Sequence, residues 1–192
     1  MDYVIDPNTG EKIDMNKLLK EQRYAKTALC NKFPFFNILA DKLTPIYTWR
    51  VNTQATDGTR LFINPAFTNK LTLQQKVFVM AHEIMHCALD HMNRAKAAGH
   101  NHERSNIAGD YEINGLLVAD NLVDDTTIKA IGALLDHKYD GMGYEHIYAL
   151  NPKAGDQDNS KNSSNEKITY DADYIRGWEQ AIKDYLSGKI TI

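Results

Sequence analysis

Residues 73–98 place the strongest constraint on what this chain can fold into. The segment LQQKVFVMAHEIMHCALDHMNRAKAA predicts one long helix, because Thr72 and Gln75 form a capping-box pattern at its start and Gly99 follows its end. Apolar residues fall on nearly every face of this helix. A helix of that kind is usually central and buried, so the rest of the chain is expected to pack around it.

The same helix carries the pattern His82-Glu83-Ile84-Met85-His86, which matches HExxH. Histidines four positions apart lie on one helical face, where both imidazoles can reach a single metal ion. Glu83 points about 100° away and can act as a base beside the metal without binding it. The alternative is a buried helix in which both histidines are hydrogen-bonded core residues.

A catalytic zinc site needs a third protein ligand and an open position for water. On an unbroken helix His91 would lie about 180° from His82, which predicts a packing role on the opposite face. The polar connection at residues 100–106 could reach the site only by folding back. Six downstream side chains have suitable ligand atoms: His91, His100, His102, Glu103, Asp110 and Glu112.

A second helix, predicted over residues 106–121, separates two of these candidates. On its helical wheel Asp110 and Asn114 fall inside the apolar sector, whereas Glu112 falls on the outer side. A buried carboxylate needs a partner or a metal, so Asp110 is the preferred third ligand. Asn114 could orient Asp110 or contact substrate, or it could be a buried amide bonded to backbone. Tyr111, next to Asp110, is a second residue that could contact the ligands from outside.

The chemistry expected from this set is metal-assisted hydrolysis with one catalytic zinc ion. Glu83 would take a proton from the attacking water and pass it to the leaving amine. The residues do not single out an oxyanion donor; Tyr111, Arg104 and His102 are nearby in sequence. The segment RLFIN (60–64), if it is an exposed edge strand, could pair with an extended peptide, which favours a peptide or protein substrate.

The remaining segments predict a mostly helical α+β fold with a small β-hairpin before the HExxH helix. Two helices are expected within residues 13–43, and the hairpin turns at Thr56-Asp57-Gly58. Residues 1–150 are expected to form the domain, 151–169 a polar flexible linker, and 170–192 a C-terminal helix that packs on the same domain.

Composition narrows the class of partner and the compartment. The net charge of −3 argues against nucleic-acid binding, which needs a basic face. No uncharged apolar run is long enough to span a membrane, and the N-terminus lacks the features of a signal peptide. A cytoplasmic protein is expected. Cys87, inside the helix, is expected to be a buried free thiol.

Taken in order, the blocks TDGTRLFINPAF, LTLQQKVFVMAHEIMHCALDHMNR and NIAGDYEINGLL resemble a family of predicted metallopeptidases, and LLDHKYDGMGYEHIY matches more weakly. In that family a zincin-like domain commonly precedes a von Willebrand factor A-like domain. The resemblance covers about residues 44–150 and includes His82, Glu83, His86, Asp110 and Asn114. It implies a zinc-binding, gluzincin- or aspzincin-like α+β domain found in bacteria and phages.

One departure from the family pattern is that the chain ends about where the second domain would begin, and it has no DxSxS-type motif. A single-domain relative and a truncated product both fit this observation. The favoured function is an intracellular zinc peptidase. The alternatives are a non-catalytic, zinc-stabilised interaction or regulatory module, and a metal-dependent hydrolase of a non-peptide substrate.

Overall fold

The structure, a computed structural model, describes residues 3–151. Apart from Asn151, the expected linker at 151–169 and the expected helix at 170–192 lie outside the described residues. The strands are β1 Tyr3–Ile5, β2 Lys12–Asp14, β3 Thr44–Tyr47, β4 Gln54–Thr56 and β5 Arg60–Ile63. The helices are α1 Met15–Lys32, α2 Phe35–Lys42, α3 Pro65–Lys70, α4 Leu73–Ala88, α5 His91–Ala97, α6 His102–Ala119, α7 Asp125–Ala130 and α8 Tyr144–Leu150.

This architecture confirms the predicted fold class, a mostly helical α+β protein with a small sheet before the HExxH helix. A short 3-10 helix at His137–Tyr139 lies between α7 and α8. The described residues divide into two compact units, and the division falls inside α4, between Ile84 and Met85. Within residues 3–151, none of the helices is both long enough and apolar enough to cross a membrane.

In the first unit, α1 buries one face against α2 and α3. Asp14 caps α1, since its side chain accepts a hydrogen bond from the Lys17 N–H. The buried positions Leu18, Ala25 and Leu29 follow helical spacing and form that face. A short antiparallel pair of strands, β1 with β2, precedes α1 and was not predicted from the sequence.

A three-stranded sheet with the order β3-β5-β4 follows α2. β4 and β5 form a hairpin that turns around Asp57, as expected, and the Asp57 carboxylate accepts the N–H groups of Thr59 and Arg60. Its first strand is Gln54–Thr56, whereas the sequence pattern predicts the stretch 46–53 in that place. β3 pairs with β5 in parallel, so β5 is the central strand. The expectation that RLFIN is an exposed edge strand able to bind a peptide is therefore wrong, because both edges of β5 are already paired.

The start of α4 confirms the capping box. The Thr72 N–H donates to Gln75 Oε1 at 2.9 Å, and the Gln75 N–H donates to Thr72 Oγ1 at 3.3 Å. The end of the helix differs from expectation, since α4 stops at Ala88 instead of continuing to Ala98. Asp90 has a φ of 54°, in the left-handed region, and this residue redirects the chain before α5 begins.

In the second unit, α6 is the longest of the described helices and packs against α5, α8 and the 3-10 helix. It begins at His102, four residues earlier than expected, because the Asn101 side chain caps it by accepting the Arg104 N–H. Ala108, Tyr139, Tyr144 and Ile147 form a buried cluster between these elements. This packing covers the side of α6 that carries Glu112, which contacts His91 of α5 and Tyr144 of α8.

Candidate metal centre

Helix α4 supplies two imidazoles and one carboxylate to the candidate site. His82 and His86 are one helical turn apart and both are half-buried, whereas Glu83 is 8% exposed. Ile84 and Cys87 are buried on the same helix, as expected for the Cys87 thiol, and Cys87 takes part in no disulfide. The apolar positions therefore hold the helix in the core while its histidines keep partial access to solvent.

Helix α6 supplies the third group. Asp110 is half-buried, and its Oδ1 lies 3.2 Å from Nε2 of His86. One ligand atom from each of His82, His86 and Asp110 falls within 4.8 Å of the other two. The structure thus brings together the three side chains that the sequence nominated as metal ligands.

The donor set suits a metal ion. Zinc binds imidazole nitrogen and carboxylate oxygen at about 2.0–2.2 Å, and two such ligands in a tetrahedral arrangement are about 3.3 Å apart. The separation of 3.2 Å between His86 Nε2 and Asp110 Oδ1 agrees with that value. The three donors found within residues 3–151 would leave a fourth position for water or substrate, as in catalytic zinc sites.

His91 does not lie where an unbroken helix would place it. Because the chain turns at Asp90, His91 Nδ1 lies 3.1 Å from His86 Nδ1. The expectation that His91 faces the opposite side of the helix is therefore wrong. The expectation that it is a packed residue is confirmed, since His91 is 4% exposed.

Glu112 also departs from its expected position. Its side chain is 12% exposed, and its Oε2 lies 2.8 Å from His91 Nε2. The same oxygen accepts the Tyr144 N–H at 3.0 Å. The helical wheel placed Glu112 on the outer side of α6, but α5 and α8 cover that part of the helix. The outer-face prediction is wrong for this reason.

Asn114 and Tyr111, the two possible outer residues of the site, have different surroundings. Asn114 is fully buried, and its Nδ2 donates to the Leu134 carbonyl at 2.6 Å. This contact is the one expected if Asn114 is a buried amide bonded to backbone. The Tyr111 ring packs against the Tyr139 ring with centroids 4.7 Å apart. Burial raises the pKa of the Tyr111 phenol, and nearby groups including Asp110 raise it further, so the hydroxyl is a hydrogen-bond donor at neutral pH.

The remaining candidates from the polar connection have other contacts. His100 Nδ1 lies 2.8 Å from the Tyr144 hydroxyl, and its ring stacks on Tyr148 with centroids 3.7 Å apart. Arg104, one of the possible oxyanion donors, donates to the Tyr148 carbonyl. His102 lies in the first turn of α6, beside Asn106. These groups are engaged within the second unit, and the three-residue metal cluster does not include them.

The sequence reasoning missed the contact chain that runs from His86 through His91 to Glu112. One signal could have revealed it. Asp90 precedes His91, and aspartate is among the residues that most often adopt the left-handed conformation that ends a helix. A helix that stops there makes His91 a neighbour of His86.

The α+β fold and the convergence of two histidines and one aspartate together indicate a candidate metal-dependent protein. The chain belongs to the family described as "Putative metallopeptidase domain", whose model matches residues 18–189. That family implies a metal ion and a peptide or protein substrate. Neither the curated proteins nor the solved structures contain a match to this chain.

Proposed function

We propose that this protein is a zinc-dependent peptidase that cleaves peptide bonds with a water nucleophile. The observation that carries the proposal is the cluster of His82, His86 and Asp110, with ligand atoms within 4.8 Å of one another. Family membership supports the substrate class, since a metallopeptidase domain acts on peptides or proteins. An aspartate as the third ligand makes the site aspzincin-like. We also propose that residues 1–150 act as one catalytic domain; the family match from 18 to 189 runs through both compact units.

The roles follow from the chemistry of each side chain. His82 and His86 would hold the ion through ring nitrogens and Asp110 through a carboxylate oxygen. A bound zinc ion would polarise the substrate carbonyl and lower the pKa of a water molecule. Glu83 takes a proton from the attacking water and returns it to the leaving amine. Glu83 is only 8% exposed, so its carboxylate is shielded from bulk solvent.

Metal analysis and a peptide-library assay test this proposal together. Wild-type protein should carry about one zinc per chain, as a built site with deprotonated ligands would. The Glu83→Gln variant keeps the shape of the side chain and removes the base, so it should retain zinc and lose about 10²- to 10⁴-fold in cleavage rate. Glu103→Gln, at an exposed position in the first turn of α6, is the matched control and should match wild type.

Two results would contradict the proposal. Wild-type protein that takes up no zinc after purification without chelators, and none on addition, has no such site. Wild-type and Glu83→Gln proteins that bind zinc equally and are equally inactive on every peptide would favour the non-catalytic, zinc-stabilised module.

A further inference from the structure

A chain of close polar contacts leads away from the candidate metal centre. His86 presents Nε2 to Asp110 and presents Nδ1 to Nδ1 of His91 at 3.1 Å. His91 in turn presents Nε2 to Glu112 Oε2 at 2.8 Å. All of these atoms belong to the second compact unit.

The chemistry of imidazole allows one arrangement of hydrogens along this chain. A metal-binding nitrogen carries no hydrogen, so a His86 that binds through Nε2 carries its hydrogen on Nδ1. That hydrogen points at His91 Nδ1, which must then accept it and place its own hydrogen on Nε2. The Glu112 carboxylate only accepts, and it therefore fixes the hydrogen of His91 on Nε2. If Glu112 were removed, His91 could carry its hydrogen on Nδ1 instead. The Nδ1–H groups of His86 and His91 would then face each other as two donors with no acceptor between them.

The surroundings of the two histidines leave room for their close approach and hold His91 and Glu112 in place. A Cβ added at Gly109 would lie 2.7 Å from His91 Nδ1 and 3.2 Å from His86 Cε1, so only glycine leaves room for both rings beside α6. The His91 ring stacks on Tyr144 with centroids 5.3 Å apart. Glu112 is anchored by the Tyr144 N–H at 3.0 Å. These contacts leave the His91 and Glu112 side chains little freedom to rotate out of the series of contacts His86–His91–Glu112.

We propose that His91 and Glu112 are positioning residues, which hold His86 in the tautomer and ring orientation that direct its Nε2 toward the metal. This inference rests on the proposed metal site and adds a specific role for two residues outside the ligand set. Outer partners of metal-bound histidines commonly contribute 10- to 100-fold in metal affinity. In this protein the outer partner of His86 is a second histidine, His91. The Glu112 carboxylate contacts His91 and not His86, so it acts on His86 through His91.

The first measurement is zinc affinity, obtained by competition with a chromophoric chelator. His91→Phe keeps a ring that can stack on Tyr144 but removes the acceptor, so its Kd for zinc should rise by about 10- to 100-fold. His91→Gln offers an amide oxygen to His86 and should recover part of that loss. Glu112→Gln keeps an oxygen acceptor and should lose less than Glu112→Leu. His146→Phe replaces an exposed histidine of α8 that takes no part in these contacts, and it is the matched control.

The second measurement reads the tautomers directly, by long-range ¹H–¹⁵N NMR correlations of the imidazole rings. In zinc-loaded wild-type protein, His86 should bind zinc through Nε2 and carry its hydrogen on Nδ1, and His91 should carry its hydrogen on Nε2. In zinc-loaded His91→Phe, His86 should become a mixture of forms that bind zinc through Nε2 and through Nδ1, a change that a merely structural role for His91 does not predict. Circular dichroism and thermal unfolding establish that each variant is folded before its affinity is compared.

The outcomes separate this inference from the peptidase proposal. A folded His91→Phe or Glu112→Leu protein with wild-type zinc affinity, or a zinc-loaded wild-type His86 that carries its hydrogen on Nε2, would overturn the positioning role while leaving the metal site intact. Wild-type protein that binds zinc but cleaves no peptide would overturn the peptidase alone. Wild-type protein that binds no zinc would overturn both.

Discussion

The histidines of residues 80–91 have distinct surroundings at the scale of single residues. His82 lies beside the Phe78 ring, with centroids 6.0 Å apart, and contributes a ligand atom to the cluster. His86 faces Asp110 through one nitrogen and His91 through the other. His91 is buried and bonded to Glu112. One helical segment and the turn after it thus supply two candidate ligands and one partner for a ligand.

Asp110 is the residue whose replacement most directly tests the ligand set. Asp110→Asn keeps the shape of the side chain but replaces one carboxylate oxygen by an amide and removes the negative charge that zinc favours. Its zinc affinity should fall by more than the 10- to 100-fold typical of outer partners. Competition titration with a chelator measures the change.

The control for this variant is Asp120→Asn, which changes an exposed aspartate at the C-terminal end of the same helix. It should bind zinc as wild type does. An Asp110→Asn protein that is folded and binds zinc with unchanged affinity would remove Asp110 from the ligand set.

Residue-scale reasoning from the sequence succeeded where the helix was continuous. His82 and His86 share a face because both lie in α4, and Asp110 lies on the face of α6 that the wheel marked as inward. It failed for His91 and Glu112. A wheel assumes an unbroken axis and a single buried side, whereas α4 ends before His91, and α6 is contacted by α5, α8 and the 3-10 helix.

Two element-scale features lie beyond what local patterns can predict. The parallel pairing of β3 with β5 joins segments that are separated by the whole of β4, and a hairpin signal says nothing about a third strand. The break between α4 and α5 depends on one residue in the left-handed conformation inside an otherwise helical pattern. In contrast, α1, α2 and the capping box of α4 follow from local periodicity and were predicted correctly.

Asp90 is the residue at which the chain turns between α4 and α5. Its φ of 54° costs an L-residue about 1–2 kcal/mol, and its Oδ1 accepts a hydrogen bond from Asn93 Nδ2 at 2.7 Å. Asp90→Val places a β-branched side chain in this conformation and removes the acceptor. We expect it to lower the free energy of unfolding by about 2 kcal/mol or more and to weaken zinc binding, because His91 moves.

Asp90→Gly is the matched variant, since glycine adopts the left-handed conformation without strain. It should stay within about 1 kcal/mol of wild type in urea unfolding, because the relief of strain offsets the lost hydrogen bond. A valine variant as stable as the glycine variant would show that the turn at Asp90 does not control the start of α5.

The contact between α5 and α8 should make stability depend on pH in the acid range. Arg94 Nε donates to Glu145 Oε1 at 2.8 Å, and this hydrogen bond is the main reason why the pKa of Glu145 falls from 4.5 to about 2. A carboxylate with a lowered folded-state pKa stabilises the fold above its unfolded-state pKa. That contribution is fully present above about pH 4.5 and is lost as the pH falls towards 2.

The Glu145 side chain is 57% exposed, so solvent screening keeps the expected contribution below about 1 kcal/mol. Urea unfolding of wild-type and Glu145→Gln proteins at pH 7, 4.5 and 3 measures it. Wild type should be the more stable protein at pH 7, and the difference should shrink by pH 3. A difference that stays constant or grows on acidification would show that the Arg94–Glu145 pair does not stabilise the fold.

At the scale of the whole molecule, the match to the metallopeptidase family spans residues 18–189, and the helix with the HExxH pattern belongs to both compact units. A ligand that binds only the folded chain stabilises it by RT ln(1 + [L]/Kd), which is about 2.7 kcal/mol at a ligand concentration of 100 Kd. The candidate ligands come from α4 and α6, which are far apart in sequence, so an unfolded chain cannot present them together.

Zinc is therefore expected to raise the midpoint of thermal unfolding. For a chain of this size each kcal/mol corresponds to about 2–4 °C, so free zinc at 100 Kd should raise Tm by about 5–10 °C. Scanning calorimetry with and without zinc measures the shift, and a chelator should reverse it. The Asp110→Asn variant should require a higher zinc concentration for the same shift. A wild-type Tm that zinc leaves unchanged, or a shift that Asp110→Asn shows at the same concentration, would place zinc binding away from this cluster.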